Sequence, residues 1–162
     1  MSVNKYLPHV HVLPEDDANR QIANGFLLDQ CVLTSKIQIL EEAGGWNEVI
    51  ERFCSIYASE MERYQTRFMI LLIDLDNKPD RLGQVKNRIP QHLADRVFIL
   101  GALTEPEDLR SGLGSYEKIG LDVAQSCREE VPDIWAHRLL CHNAPELARL
   151  RATVRPFLIA TD

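Results

Sequence analysis

Carboxylate side chains follow three of the four segments of this sequence that resemble buried β-strands. Glu15 comes after the first segment, Asp74 and Asp76 end the third, and Glu105 and Glu107 follow the fourth. The carboxyl ends of parallel strands lie along one edge of a sheet, so these side chains could converge there. Converging carboxylates repel one another unless a cation neutralises them, and their oxygens suit Mg²⁺ or Mn²⁺ better than zinc. The spacing therefore predicts a divalent-metal site at that edge.

The sequence Asp74-Leu75-Asp76 is the most informative of these clusters. Side chains alternate along a strand, so the pattern places both aspartates on one face and Leu75 on the other. Acidic residues after strands also occur because loops are solvated and Asp caps helices. This second interpretation stays open for each cluster and is favoured for Asp16 and Asp17, with Asp17 the expected cap of the first helix.

The carboxylates can meet only if the strands that carry them form one parallel sheet. Apolar patterning predicts strands over residues 8–13, 36–40, 67–76 and 97–103. Apolar residues at helical spacing predict helices over residues 17–29, 46–64, 81–96 (interrupted by Pro90), 116–130, 134–141 and 144–150. Alternating strands and helices predict an α/β fold with a mainly parallel four-stranded sheet, helices on both faces and a helical C-terminal tail.

Size and composition are those of a folded globular chain. The 162 residues, 45% of them hydrophobic, predict one domain over 1–162, with a core at about 8–108 and a helical extension at about 109–162. The longest apolar run, Phe68 to Ile73, is too short to cross a bilayer, and Met1 to Tyr6 is not a signal sequence. We therefore expect a cytoplasmic protein without membrane contact, and four reduced cysteines, since they are scattered singly.

The charge balance limits how the chain could bind nucleic acid. Eighteen basic residues against twenty-four acidic ones give a net charge of −6, which opposes nonspecific attraction to a phosphate backbone. A nucleic-acid substrate would require metal ions, a partner chain or a local basic patch. The tail residues Arg138, Arg149, Arg151 and Arg155 are candidates for such a patch, although a solvated helix face is the more usual meaning.

Two segments together resemble a known family, the Toprim domain of topoisomerases, bacterial primases, recombination mediators and overcoming-lysogenization-defect type nucleases. One segment is a strand that ends in Glu15, and the other is Ile70-Leu71-Leu72-Ile73-Asp74-Leu75-Asp76. The resemblance covers about residues 8–108. It implies that Glu15 is a general acid/base or metal ligand and that Asp74 and Asp76 bind Mg²⁺. Asp16 replaces the small residue usual after the Glu, and Asn19 stands where many members have Asp.

The nuclease-like branches of that family also carry acidic residues after the next strand. By resemblance, Glu105 or Glu107 would complete a second metal site, and Lys78 would neutralise the scissile phosphate, unless it is simply an exposed loop lysine. Two metals would clamp the attacking and leaving oxygens of a phosphodiester. The predicted function is thus a Mg²⁺- or Mn²⁺-dependent nuclease of Toprim type. Its substrate would be nucleic acid. The protein would act by itself, as a homo-oligomer, or beside a larger partner such as an ATPase, as in host-defence assemblies.

Two other functions stay open. The first is a catalytically inactive Toprim-fold subunit that binds or regulates a partner. The second is an unrelated phosphate- or nucleotide-binding domain. It is disfavoured because Gly44-Gly45 lacks the glycine spacing of both the Walker loop and the dinucleotide-binding loop.

The histidines and the tail tryptophan carry weaker signals. His9 and His11 are two residues apart, so they share one face of the predicted strand and could bind a metal. Histidines that bind no metal are nevertheless the commoner case. Trp135, His137 and His142 predict either a partner-binding surface or simple core packing.

Overall fold

Four parallel strands form the centre of the protein. The computed structural model describes residues 3–129 and 134–161. The sheet has the order β2-β1-β3-β4 and is built from β1 (His9–Pro14), β2 (Ile37–Ile39), β3 (Arg67–Leu72) and β4 (Val97–Leu100). The two inner strands pair along their whole length, from His9 opposite Arg67 to Pro14 opposite Leu72. This confirms the predicted α/β class with a parallel four-stranded sheet.

Helices connect the strands and make up most of the C-terminal third. They are α1 (Asp17–Phe26), α2 (Trp46–Arg52), α3 (Ala58–Arg63), α4 (Asp80–Arg88), α5 (Pro106–Leu113), α6 (Tyr116–Glu129), α7 (Ala144–Thr153) and α8 (Arg155–Leu158). A π-helical segment, Phe53–Tyr57, joins α2 to α3, and the remaining short turns are 3₁₀ helices at Thr34–Lys36, Gln91–Arg96, Ile134–Ala136 and Cys141–Asn143.

Each face of the sheet packs against its own set of helices. On one face, Leu13, Met69 and Leu71 share a hydrophobic cluster with residues of α2, α3 and α4. On the other face, Val10 and Ile70 belong to a cluster formed with residues of α1, α6 and α8. Because both faces are covered, β3 is a nearly continuous apolar run, as is usual for a central strand of a parallel sheet.

Side chains of the C-terminal tail seal the outer edge of β4. Glu146 accepts a hydrogen bond from the Ile99 N–H at 2.9 Å, and Asn143 both accepts from the Gly101 N–H and donates to the Gly101 carbonyl. Arg149 donates to the carbonyl of Val97. An open strand edge would be free to pair with another chain, so these contacts remove that liability. Arg149 therefore has a structural role within the predicted basic patch.

Several predicted elements differ from the observed ones. The predicted helix 134–141 was wrong, because short 3₁₀ turns occur there, and α5 was not predicted as a separate helix, although the predicted helical extension from about residue 109 overlaps it. The predicted strands 67–76 and 97–103 end earlier, at Leu72 and Leu100, although the N–H groups of Ile73 and Leu75 continue the pairing by donating to the carbonyls of Leu100 and Ala102. The predicted helix end at Glu130 lies outside the described residues. Within the described chain, no helix is both long enough and apolar enough to span a membrane.

Candidate functional site

Glu15 and Asp74 meet at the carboxyl ends of the two inner strands. The Glu15 N–H continues the ladder by donating to the Leu72 carbonyl at 3.0 Å. The Asp74 N–H in turn donates to Oε2 of Glu15 at 2.8 Å. Two acidic residues separated by 59 positions thus lie against each other because β1 and β3 are neighbours in the sheet.

Asp74 is buried, with 5% of its surface exposed, and both of its carboxylate oxygens accept hydrogen bonds. Oδ1 accepts from the Ala102 N–H at 2.9 Å, and Oδ2 accepts from the side-chain amide of Asn19 at 2.7 Å. One carboxylate therefore ties together the end of β3, the chain that leaves β4 and the first turn of α1.

Burial also makes the carboxyl groups of Asp74 and Glu15 weaker acids than usual. It raises the pKa of Asp74 to about 7, an effect that the hydrogen bonds from Ala102 and Asn19 only partly oppose. Burial likewise raises the pKa of Glu15, and the charges of Asp16 and Asp76 add to that shift. Two carboxyl groups with raised pKa values at the end of a central strand pair are typical of a site that takes up a proton or a cation.

Asp76 does not share a strand face with Asp74 as the alternation predicted. The chain leaves the extended conformation, since Asp76 and Asn77 have φ values of +51° and +57°. Their N–H groups donate to the carbonyls of Thr104 and Leu103, so this left-handed turn is held against the segment after β4. Asp76 is therefore exposed beside the buried Asp74, and Lys78 is an exposed residue of the same loop.

Two glycines permit the close packing of the backbone around this site. Gly44 adopts φ +102° and donates its N–H to the Glu15 carbonyl at 2.8 Å. A Cβ atom at Gly101 would lie 1.9 Å from the Ile73 carbonyl oxygen, which no side chain could tolerate. Gly44 thus supports the turn that carries Glu15, while Gly101 lets the chain after β4 approach Asp74.

Asp16, and not Asp17, caps α1. The Asp16 carboxylate accepts from the N–H of Asn19 at 3.0 Å, which is the usual N-cap bond. Asp17 lies one residue further on, exposed and paired with Arg20. The prediction was wrong by one residue because either aspartate could cap the helix on sequence pattern alone.

The acidic residues after β4 are exposed residues at the start of α5. Glu105 occupies the N-cap position of α5 without a side-chain capping bond, and Glu107 is exposed in the first turn. No hydrogen bond among the described residues joins either one to Glu15 or Asp74. Burial raises the pKa of Tyr116, and the negative charges of Glu107 and Asp16 raise it further. Because both carboxylates act on the same tyrosine, they lie on the same side of the molecule.

Sequence patterning missed the roles of Arg81 and Asn19. Arg81 is buried, donates to the Asp74 carbonyl at 3.0 Å, and lies 4.7 Å from the centre of the Trp46 ring. Its charge acts on Glu15, where it partly opposes the raised pKa. Arg81 lies in the first turn of α4, the helix after the Asp76 loop, and Asn19 lies one turn after Glu15. Their positions close to an acidic strand end were the signal in the sequence that could have identified them.

The two histidines of β1 are buried on the face away from α1. Both ring nitrogens of His9 are engaged, Nδ1 with the Leu7 carbonyl and Nε2 as acceptor from Arg67. The ring nitrogens of His11 have no hydrogen-bond partner among the described residues, and burial lowers the pKa of His11 to about 3. His137, in the tail, accepts from the Leu139 N–H, and Trp135 packs against a cluster around Leu139.

In residues 3–129 and 134–161, no three His, Cys, Asp or Glu side chains are grouped closely enough to form a ready metal site.

Known proteins give no further guide to this site. No protein-family model matches the sequence, and a search of curated proteins finds no significant match.

Proposed function

We propose that this protein is a Mg²⁺- or Mn²⁺-dependent phosphodiester-cleaving enzyme of Toprim type that acts on nucleic acid. One observation carries the proposal: Glu15 and Asp74 lie in contact at the carboxyl ends of adjacent central strands, with Oε2 of Glu15 2.8 Å from the Asp74 nitrogen. Ligand sites of open α/β sheets occur beyond the carboxyl ends of the strands. Asp76, exposed on the next turn, adds a third acidic group at the same edge.

The chemistry of these side chains fits a hard divalent cation. Glu15 and Asp76 would supply oxygen ligands, whereas Asp74 would orient the site through its bonds to Ala102 and Asn19. Like-charged carboxylates with raised pKa values are stabilised when a cation joins them. A bound Mg²⁺ would supply positive charge for phosphoryl oxygens and acidify a water molecule. Glu105, Glu107 and Lys78 remain proposed only as outer contacts for a second cation and the phosphate.

The residues of the chain would have distinct tasks in this reaction. Glu15, with its pKa raised by burial, is suited to receive and return a proton during the reaction. Asp74 and Arg81 would keep the strand end and the Asp76 loop in position.

A panel of single- and double-stranded DNA and RNA, incubated with Mg²⁺ or Mn²⁺, tests the proposal. We expect metal-dependent cleavage by the wild type and a loss of about 10²- to 10⁴-fold in Glu15→Gln, because the proton-transfer group or ligand is removed. Gln can still accept the Asp74 N–H, so the fold should persist. The matched control is Asp95→Asn, an exposed carboxylate before β4 at the opposite end of the sheet. Equal cleavage by Glu15→Gln and wild type would refute the proposal.

A catalytically inactive binding or regulatory subunit is the second candidate. It is favoured by the engagement of both Asp74 oxygens in protein hydrogen bonds and by the absence of three grouped ligands in the described residues. In that case the wild type would cleave nothing with any metal, even with a larger partner such as an ATPase. Glu15→Gln would then leave partner binding unchanged.

A further inference from the structure

An apolar cavity of about 160 Å³ lies between the sheet and the helices on the α1 side. Its walls include Val12 and Ile70 from the inner strands, Phe26 from α1 and Val123 from α6. Asp74 and Asn19, whose side chains already hydrogen-bond each other, also line it. The cavity thus extends inward from the candidate site along the sheet.

Two basic side chains also belong to the cavity wall. Arg151 and Arg155 line it together with Cys127 and Ile159. Burial raises the pKa of the Cys127 thiol to about 11, and the charges of both arginines oppose that shift, so both guanidinium groups lie near this wall. Arg155 donates to the Arg128 carbonyl, but no carboxylate of the described residues forms an ion pair with Arg151. The cavity therefore combines apolar walls with a cation that has no anionic partner in the described chain.

We propose that this cavity binds a small aliphatic carboxylic acid, with its chain between the sheet and α6 and its carboxylate at Arg151. An engineered cavity of about 150 Å³ accepts benzene, so this one suits a chain of roughly six to eight carbon atoms. Arg151 would pair with the carboxylate through charge-assisted hydrogen bonds. The paired Asp74 and Asn19 in the lining need no polar group from the ligand. The inference does not depend on the proposed function.

Isothermal titration calorimetry of the full chain with octanoate, 1-octanol and octylamine tests this proposal. We expect saturable binding of octanoate, weaker binding of octanol because it lacks the charge, and the weakest binding of octylamine because it places a cation beside Arg151. Arg151→Gln should weaken octanoate binding about tenfold and leave octanol binding unchanged. The matched control, Arg138→Gln, removes an exposed arginine of the same tail and should bind octanoate like the wild type.

A cavity-filling variant separates the cavity from surface binding. Val123→Phe should abolish binding of both octanoate and octanol, with circular dichroism to verify the fold. Should that variant not fold, Ala23→Leu fills the same cavity from α1. The proposal is overturned if the wild type shows no saturable octanoate binding, if Arg151→Gln binds octanoate as tightly as wild type, or if a folded cavity-filling variant still binds it.

Discussion

Replacing Asp74 with Asn should make the stability of the metal-free protein less dependent on pH. The pKa of Asp74 is raised from an ordinary 3.8 to about 7, so the folded state holds a proton that the unfolded state has already lost. The free energy of unfolding must then fall as pH rises from about 3.8 to about 7. Asn carries no charge and escapes this loss. It can also keep both contacts, because the Asn19 amide can rotate to present its oxygen.

The magnitude follows from the pH interval. Each pH unit between the two pKa values is worth about 1.36 kcal/mol, so the wild type should lose about 3 kcal/mol between pH 5 and pH 7 through Asp74 alone. Any constant difference in hydrogen-bond strength cancels when each protein is compared with itself at two pH values. Titrating groups that do not interact with Asp74, such as His11, cancel between wild type and variant.

Urea unfolding in EDTA at pH 5 and pH 8 measures the effect. Between these pH values the wild type should lose about 3 kcal/mol more unfolding free energy than Asp74→Asn, while Asp95→Asn should follow the wild type. Parallel pH profiles for wild type and Asp74→Asn would show that Asp74 does not hold its proton near neutrality. Burial would then not raise the pKa of this carboxyl group to near 7.

Two further predictions concern other buried polar groups. The pKa of His11 is lowered from 6.5 to about 3, so its stabilising contribution is present above pH 6.5 and is lost as pH falls. Between pH 7.5 and pH 4.5, the wild type should lose about 3 kcal/mol more unfolding free energy than His11→Met. Equal losses in the two proteins would contradict this. Asn143→Ala should cost about 2 kcal/mol by leaving the Gly101 N–H and carbonyl unpaired at the β4 edge. Ser111→Ala, at an exposed hydroxyl, is its control, and equal unfolding free energies for the two variants would refute the role of Asn143.

Much of the fold was predictable because the relevant signals are local. The apolar run before Asp74 and the strand-helix alternation predicted the parallel sheet, and Pro90 correctly marked the break after α4. The helix predicted over 134–141 failed because apolar residues at suitable spacing also pack well in short 3₁₀ turns. Helix α5 was missed because its start, Pro106, lies inside the acidic cluster that had been interpreted as a ligand loop.

The candidate site was predictable only in part. The sequence placed Glu15 and Asp74 at strand ends, but alternation failed at Asp76, where the chain adopts the left-handed conformation that Asp and Asn tolerate. That turn depends on hydrogen bonds to Leu103 and Thr104, which belong to a distant segment.

By itself, the sequence determined which segments form strands and that their acidic ends follow them, since side-chain alternation and helical periodicity are properties of neighbouring residues. Only the tertiary structure decided that β1 lies next to β3, and hence that Glu15 contacts Asp74. It also decided that Arg81 and Asn19 hold the same carboxyl end and that a cavity reaches inward from it. Strand order and register are set by how distant apolar faces pack together, and no local pattern encodes that packing.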